Sequence, residues 1–185
     1  MTVGNGGKRL NGCAGIEVKR PEGYCAGVGK NGGYGDLSGG VRIEEVLERE
    51  GVLVSTTVGV SMYPMLRNRR DTVIVSPASG HLKKYDVPLY RRGGKYVLHR
   101  IVDVVDDRYV ICGDNCIRRE YDITDREIIG VLTGFYRGDR EMAMDSIGYR
   151  IYVRVWCALY PVRKIYKLVR MEAGKMYRCV KKRNL

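Results

Sequence analysis

Residues 59–66 read Gly-Val-Ser-Met-Tyr-Pro-Met-Leu, and 38 residues after Ser61 comes His99 within Val-Leu-His-Arg-Ile-Val, followed by Gly-Asp-Asn at 113–115. A serine hydroxyl attacks a carbonyl usefully only when a base within hydrogen-bond reach takes its proton. His99 is one of two histidines in the chain. A neutral imidazole is a good base near pH 7, and a carboxylate behind it fixes the tautomer and stabilises the imidazolium that forms. Asp114 is the candidate for that third role. Pro64 locks its own φ and biases Tyr63 toward extended backbone, which predicts a stiff loop after the serine instead of a continuing strand. Each piece also has an ordinary reading: Ser-x-x-Pro opens many loops, a histidine in an apolar strand is often packing, and Gly-Asp-Asn is a common turn.

Around this stretch the chain is organised as short β-rich runs. Residues 52–60, 72–75, 87–91, 96–105, 109–112 and 127–136 carry the apolar and β-branched content of strands. Gly93-Gly94 and Asp106-Asp107 mark hairpin turns between them. Many short strands with tight turns predict a compact, mainly β fold in which loops present the site. Ahead of it, residues 41–50 read as a short helix with Ile43, Val46 and Leu47 on one face and Gly51 as its stop. The first 40 residues hold 13 of the 24 glycines. Such a segment buries too little surface to offset its backbone entropy and is expected to be disordered. It lacks the apolar stretch of a signal peptide. The organisation expected is therefore a Gly-rich segment over 1–40, a β domain over 41–145 and a C-terminal segment over 146–185.

The net charge is +12, and its placement is uneven. Residues 146–185 carry eleven basic groups and one acidic group. Ile151, Val155 and Leu159 recur at a four-residue interval there, with Arg150 and Arg154 on another face and Trp156 and Tyr160 nearby. Basic residues beside Trp and Tyr on an amphipathic helix suit an anionic membrane surface. A helix packed on the β domain and a nucleic-acid patch are the competing readings, and nucleic acid is not the expected partner. Pro161 is expected to kink any helix drawn through it. No stretch reaches the 18 or so apolar residues needed to cross a bilayer.

Taken together, Ser-Met-Tyr-Pro-Met-Leu, Asp71-Thr-Val-Ile-Val, Leu82-Lys-Lys-Tyr-Asp-Val-Pro-Leu-Tyr, His99-Arg-Ile-Val and Cys112-Gly-Asp-Asn resemble the type I signal peptidases and the LexA-like peptidases that share their fold. The resemblance runs from about Val52 to Tyr136, and the nearest likeness is to soluble bacterial members with a histidine base. It implies the compact signal-peptidase/LexA-like β fold and a serine endopeptidase that cleaves a leader or precursor peptide. Many members pair the serine with a lysine; in one branch histidine stands in that position, as His99 does here. The resemblance thus implies Ser61 as nucleophile, His99 as general base and then acid, and Asp114 as orienting carboxylate. In that branch a second acidic residue follows Gly-Asp-Asn by five or six positions. Arg119 and Glu120 stand there, with Asp122 and Asp125 slightly later as alternative acids. Many relatives carry a serine or glycine pair before the nucleophile, where a hydroxyl helps hold the oxyanion. Gly59 and Val60 offer none, so the oxyanion hole is expected to rest on backbone N–H groups, that of Ser61 first.

Cys112 and Cys116 lie close in sequence, but no second close pair or histidine completes a metal-ligand set, and no metal or cofactor is expected. Six free thiols in a cytoplasmic protein, peripheral on the inner membrane face if the C-terminal segment is an anchor, are the expectation. Two other functions fit the residues. A self-cleaving LexA-like regulator would cut Ala14-Gly15 or Ala26-Gly27, although no DNA-binding helical domain precedes them here. A non-catalytic peptide-binding module would keep the fold without the chemistry.

Overall fold

The computed structural model describes residues 17–19, 42–92 and 94–183. The chain enters the main domain through α1 (Ile43–Glu50), whose buried Ile43, Val46 and Leu47 share one face at helical spacing. Gly51 ends it in the left-handed region at φ 69°, with its N–H donating to Leu47 O at 2.9 Å. That geometry favours glycine because no Cβ crowds the turn.

Nine strands follow: β2 (Leu53–Val58), β3 (Asp71–Pro77), β4 (Pro88–Arg92), β5 (Lys95–Leu98), β6 (Arg100–Val105), β7 (Arg108–Cys112), β8 (Glu120–Ile123), β9 (Ile128–Arg137) and β10 (Arg140–Ala143). Three of the residues expected to be disordered, Glu17–Lys19, form β1 on the outer edge of β2, with Glu17 opposite Val58 and Lys19 opposite Thr56. The rest of that expectation lies outside the described residues. The fold is mainly β, in two antiparallel sheets. The larger runs β1-β2-β3-β9-β4-β5 with β10 also on β9, and the smaller runs β6-β7-β8.

Buried and half-buried residues alternate along β2 and β3, as expected of strands with one face on a core. Two apolar clusters result. One gathers α1 with Val73, Val75, Leu98 and Phe135; the other gathers Tyr90, Val97, Ile101, Tyr109 and Ile111. Between them the run expected as one strand over 96–105 is broken at His99. Leu98 pairs with β4 in the first sheet and Arg100 with β7 in the second. Leu98 and Ile101 sit in different clusters, so one flat strand cannot serve both. His99 thus stands at the crossover between the sheets. Asp106 and Asp107, both at positive φ, make the turn between β6 and β7, and Gly94 at φ 78° makes the one after β4. The strands that the sequence pattern does not reveal, β8 and β10, are short and carry charges on exposed positions, as edge strands do.

The C-terminal segment is helical. In α2 (Ile147–Ala158) the Ser146 hydroxyl accepts the Tyr149 N–H at 3.3 Å as N-cap. The chain turns at Leu159 and continues as α3 (Tyr160–Arg183). Pro161 falls in the first turn of α3, where its missing N–H has no intrahelical partner to lose, so a helix boundary replaces the expected kink. Among the described residues no helix is long and apolar enough to cross a membrane. Part of the segment packs on the β domain: Val153 is buried, Trp156 Nε1 donates to Asp114 O at 3.1 Å, and Tyr160 donates to Ile117 O at 2.7 Å. Core packing therefore holds for the inner side of α2–α3.

Candidate active site

Ser61 is presented by a loop that several bonds hold rigid. After β2 the Gly59 N–H donates to Asn68 Oδ1 at 2.8 Å, and the Arg69 N–H returns to Thr57 O at 2.8 Å. Asp71, fully buried at the start of β3, accepts the Arg67 N–H at 2.9 Å and the Arg67 guanidinium at 2.6 Å. Met62, Met65 and Leu66 point into the core and pin the loop from below. The stiffness expected of this stretch therefore comes from side-chain staples and buried methionines as well as from Pro64.

His99, at the sheet crossover, faces Ser61 across the turn after β7. Gly113 lies between them. A Cβ on Gly113 would stand 2.8 Å from Ser61 O, 3.0 Å from His99 Nε2 and 2.8 Å from Cys116 Sγ. A side chain there has no room, so only glycine lets the Ser61 loop and the imidazole close on the same backbone. The Asn115 N–H then donates to Ser61 O at 2.6 Å and its side chain donates to Val60 O at 3.0 Å, fastening the Gly-Asp-Asn turn to the Ser61 loop.

The carboxylate behind the imidazole is that of Glu120. Its Oε1 lies 3.1 Å from His99 Nδ1 and accepts the Tyr90 hydroxyl at 2.9 Å and Arg92 at 2.6 Å. Burial alone would raise its pKa, but the hydrogen bonds from His99, Arg92 and Tyr90 outweigh that and hold the carboxyl at about 2. Glu120 is therefore ionised at neutral pH and can only accept, which selects the Nδ1–H tautomer of His99 and leaves Nε2 as the basic nitrogen. Tyr90, placed within 3.2 Å of His99 Nδ1 as well, is held protonated because burial and the Glu120 charge raise its pKa.

Asp114 does not take the role expected of it. Both its oxygens are held by Arg100, at 2.8 Å from Nε and 2.8 Å from Nη2. Neighbouring side chains on an extended chain point to opposite sides, so His99 turns toward Glu120 while Arg100 turns toward Asp114. The Arg100 guanidinium is fully buried and cannot shed its charge, so it needs a bidentate partner, and Asp114 is that partner. The two alternative acids are also elsewhere. Asp122 pairs with Arg108 on the surface, and Asp125 accepts the Tyr109 hydroxyl and lies 3.2 Å from His81 Nδ1. The structure thus brings Ser61 and His99 to the turn that carries Asp114, whose carboxylate is held by Arg100, while the Asp122 and Asp125 carboxylates pair elsewhere. Sequence reading passed over Tyr90, Arg92 and the space requirement at Gly113; Glu120 was legible only as an acidic residue at the family's second-acid spacing.

Ser61 is 1 % exposed and His99 0 %. Ser61 Oγ and His99 Nε2 are both buried without a hydrogen-bond partner among the described residues, so they do not bond each other in this state. Two orphaned polar atoms on adjacent groups cost stability that packing alone would not accept, and such atoms concentrate where chemistry is done. The arrangement can move a proton from Oγ to Nε2 once the two close to bonding distance, with Glu120 stabilising the cation formed.

A second network lies beside this one. Arg100 also donates to Tyr85 O at 3.1 Å and to the Tyr149 hydroxyl of α2 at 2.9 Å. From α3, Arg163 donates to Asp114 O and Lys167 to Asn115 O. Cys116 is disulfide-bonded, against the expectation of six free thiols, whereas Cys112 and Cys157 are free. No protein-family model matches the chain, and comparison with curated proteins and with solved structures likewise finds no match.

Proposed function

We propose that this chain is a serine endopeptidase of the signal-peptidase/LexA-like type that cleaves a leader or precursor peptide. The observation that carries the reading is the Glu120–His99 pair, which leaves Nε2 basic and aimed at the Gly113 backbone that also touches the Ser61 loop. In this reading His99 takes the Ser61 proton as Oγ bonds to the scissile carbonyl carbon. The tetrahedral oxyanion accepts from backbone N–H groups, with that of Ser61 the first candidate since Gly59 already donates to Asn68. The imidazolium then protonates the leaving amine, and a water deprotonated by the same nitrogen releases the acyl group. Because Ser61 is buried, the loop over 59–66 or the arm packed beside it must shift to admit a substrate. The test is mass spectrometry of the purified protein with candidate precursor peptides. New fragments sharing one cleavage bond are expected, and a Ser61→Ala protein should yield none.

Gly113→Ala probes the same geometry. A methyl group there must push Ser61 or His99 by a good fraction of an ångström, and displacements of that size cost about 100-fold in turnover. Turnover of a cleaved peptide should fall by that order, and the thermal midpoint should fall too, because the added methyl meets the Ser61 backbone carbonyl and Cys116 Sγ in a packed site, at a cost of about 1–3 kcal/mol. Unchanged turnover would mean that the contact across Gly113 has no part in the chemistry.

One observation favours a second reading, cleavage of the chain's own N-terminal segment. β1 (Glu17–Lys19) lies along β2, the strand that leads into the Ser61 loop, so the N-terminal segment runs beside that loop's entry. Ala14-Gly15 and Ala26-Gly27 lie outside the described residues. Incubation of the protein alone separates the readings: loss of residues 1–14 from the intact mass, at a rate independent of protein concentration, indicates self-cleavage.

A further inference from the structure

Helices on a globular domain turn their apolar side inward, because that is where burial stabilises them. The outer helix α3 does the reverse. Its domain-facing side is polar: Arg163 donates to Asp114 O, Lys167 donates to Asn115 O, and Tyr160 to Ile117 O. On the opposite side Val162, Ile165, Tyr166 and Val169 are between 61 and 63 % exposed, and Met176 and Tyr177 continue the same stripe about two turns later at 70 and 71 %. The spacing of three, one, three, seven and one residues keeps these six on one face at 3.6 residues per turn. On α2 the exposed Ile147, Ile151 and Val155 recur every four residues and form an apolar stripe of their own. Contiguous exposed apolar area of this kind marks an interaction surface.

Charge identifies the occupant. Residues 146–185 carry eleven basic groups and one acidic group. Arg150 and Arg154 on α2 and Arg170 on α3 are exposed beside the apolar stripes, where long basic side chains can reach past them to a headgroup layer. A second copy of the chain would set one +10 arm against another, and like charges across an interface oppose pairing. An anionic lipid surface offers an apolar layer for the stripe and phosphates for its borders. We infer that α2 and α3 form a seat on an anionic membrane surface, with the outward face of α3 in the interface and its inward face holding the turn at 113–115. The seat and the candidate active site are joined through one short path, since Lys167 binds Asn115 O and the Asn115 N–H binds Ser61 O. The inference does not depend on the peptidase reading.

The test is co-sedimentation of the full-length protein with vesicles of phosphatidylcholine, and with vesicles of phosphatidylcholine and phosphatidylglycerol in equal amounts. Binding to the mixed vesicles and little to pure phosphatidylcholine is expected. It should weaken about tenfold or more as salt rises from roughly 0.05 M to roughly 0.5 M, because charge attraction is screened. Val162→Glu with Val169→Glu replaces apolar side chains that are mostly exposed among the described residues, so the thermal midpoint should hold while vesicle affinity drops roughly 100-fold. Arg150→Glu with Arg170→Glu, also on exposed positions, should abolish the preference for anionic lipid and gives a second measurement should the first pair unfold. Equal binding to both vesicle types, or binding that neither variant pair reduces, overturns the inference. So does a dimer in sedimentation velocity that dissociates in the valine variant without any vesicle binding by the parent protein.

Discussion

Ser61→Ala and His99→Ala are each expected to lower peptide turnover by roughly a million-fold while leaving the fold intact, and the double substitution should cost little more than either alone. In the proposed mechanism Ser61 and His99 act as one unit, so removing the second member of a broken pair subtracts almost nothing. Neither group makes a hydrogen bond through Ser61 Oγ or His99 Nε2 among the described residues, so truncating the serine should not destabilise the domain and can relieve an unsatisfied buried atom. The measurement is kcat on a peptide that the parent protein cleaves, beside the thermal midpoint of each variant. Near-normal turnover in His99→Ala would transfer the base role elsewhere, yet Lys83, Lys84 and Lys95 are all exposed, and Lys84 is paired with Asp103. Additive losses in the double variant would mean that the two residues work in separate steps.

The two buried carboxylates should fail in different ways. Asp114→Ala strands the Arg100 guanidinium in the interior without a counter-charge, and breaking a buried pair from one side costs about 3–5 kcal/mol. Burial opposes the Arg100 charge while Asp114 restores it, so the folded state depends on this partner. Urea unfolding of Asp114→Ala should show that loss, and much of the protein should fail to fold if total stability is near the low end for a domain of this size. Glu120→Gln should instead keep most of the stability, because Arg92 is partly exposed and can be solvated. Its turnover should fall by about 10⁴-fold, since an amide no longer holds the imidazole in the Nδ1–H form or stabilises its cation. A large catalytic loss with full stability in an Asp114 variant, together with normal turnover in Glu120→Gln, would restore Asp114 to the role that the motif alone implies.

The contrast shows what could be read from the chain. Ile43, Val46, Leu47 and Gly51 specify α1 locally, through helical spacing and a left-handed stop, and the structure places each as that pattern requires. The alternation in β2 and β3, and the turns at Gly94 and Asp106-Asp107, are equally local, so the mainly β architecture was legible from them. The candidate pair, Ser61 and His99, was legible as residue types in order. Which carboxylate serves His99 was not, because that choice depends on Arg100. A guanidinium forced into the interior one residue after the histidine claims Asp114, and Glu120 reaches Nδ1 only because β8 lies along β7 with Glu120 opposite Ile111. The break at His99 follows from two clusters competing for one apolar run, which no strand pattern records. The amphipathic period of the C-terminal segment was visible in its residues. Which of its faces turns outward was decided by the carbonyls of Asp114, Asn115 and Ile117, since they accept the basic and hydroxyl groups of α3 and leave its apolar side to the surroundings. Sequence alone determined α1, the central strands and the candidate nucleophile and base; tertiary structure decided the edge strands, the break at His99 and the partners, because sheet edges and buried charges are chosen by distance in space and local propensity carries no information about that distance.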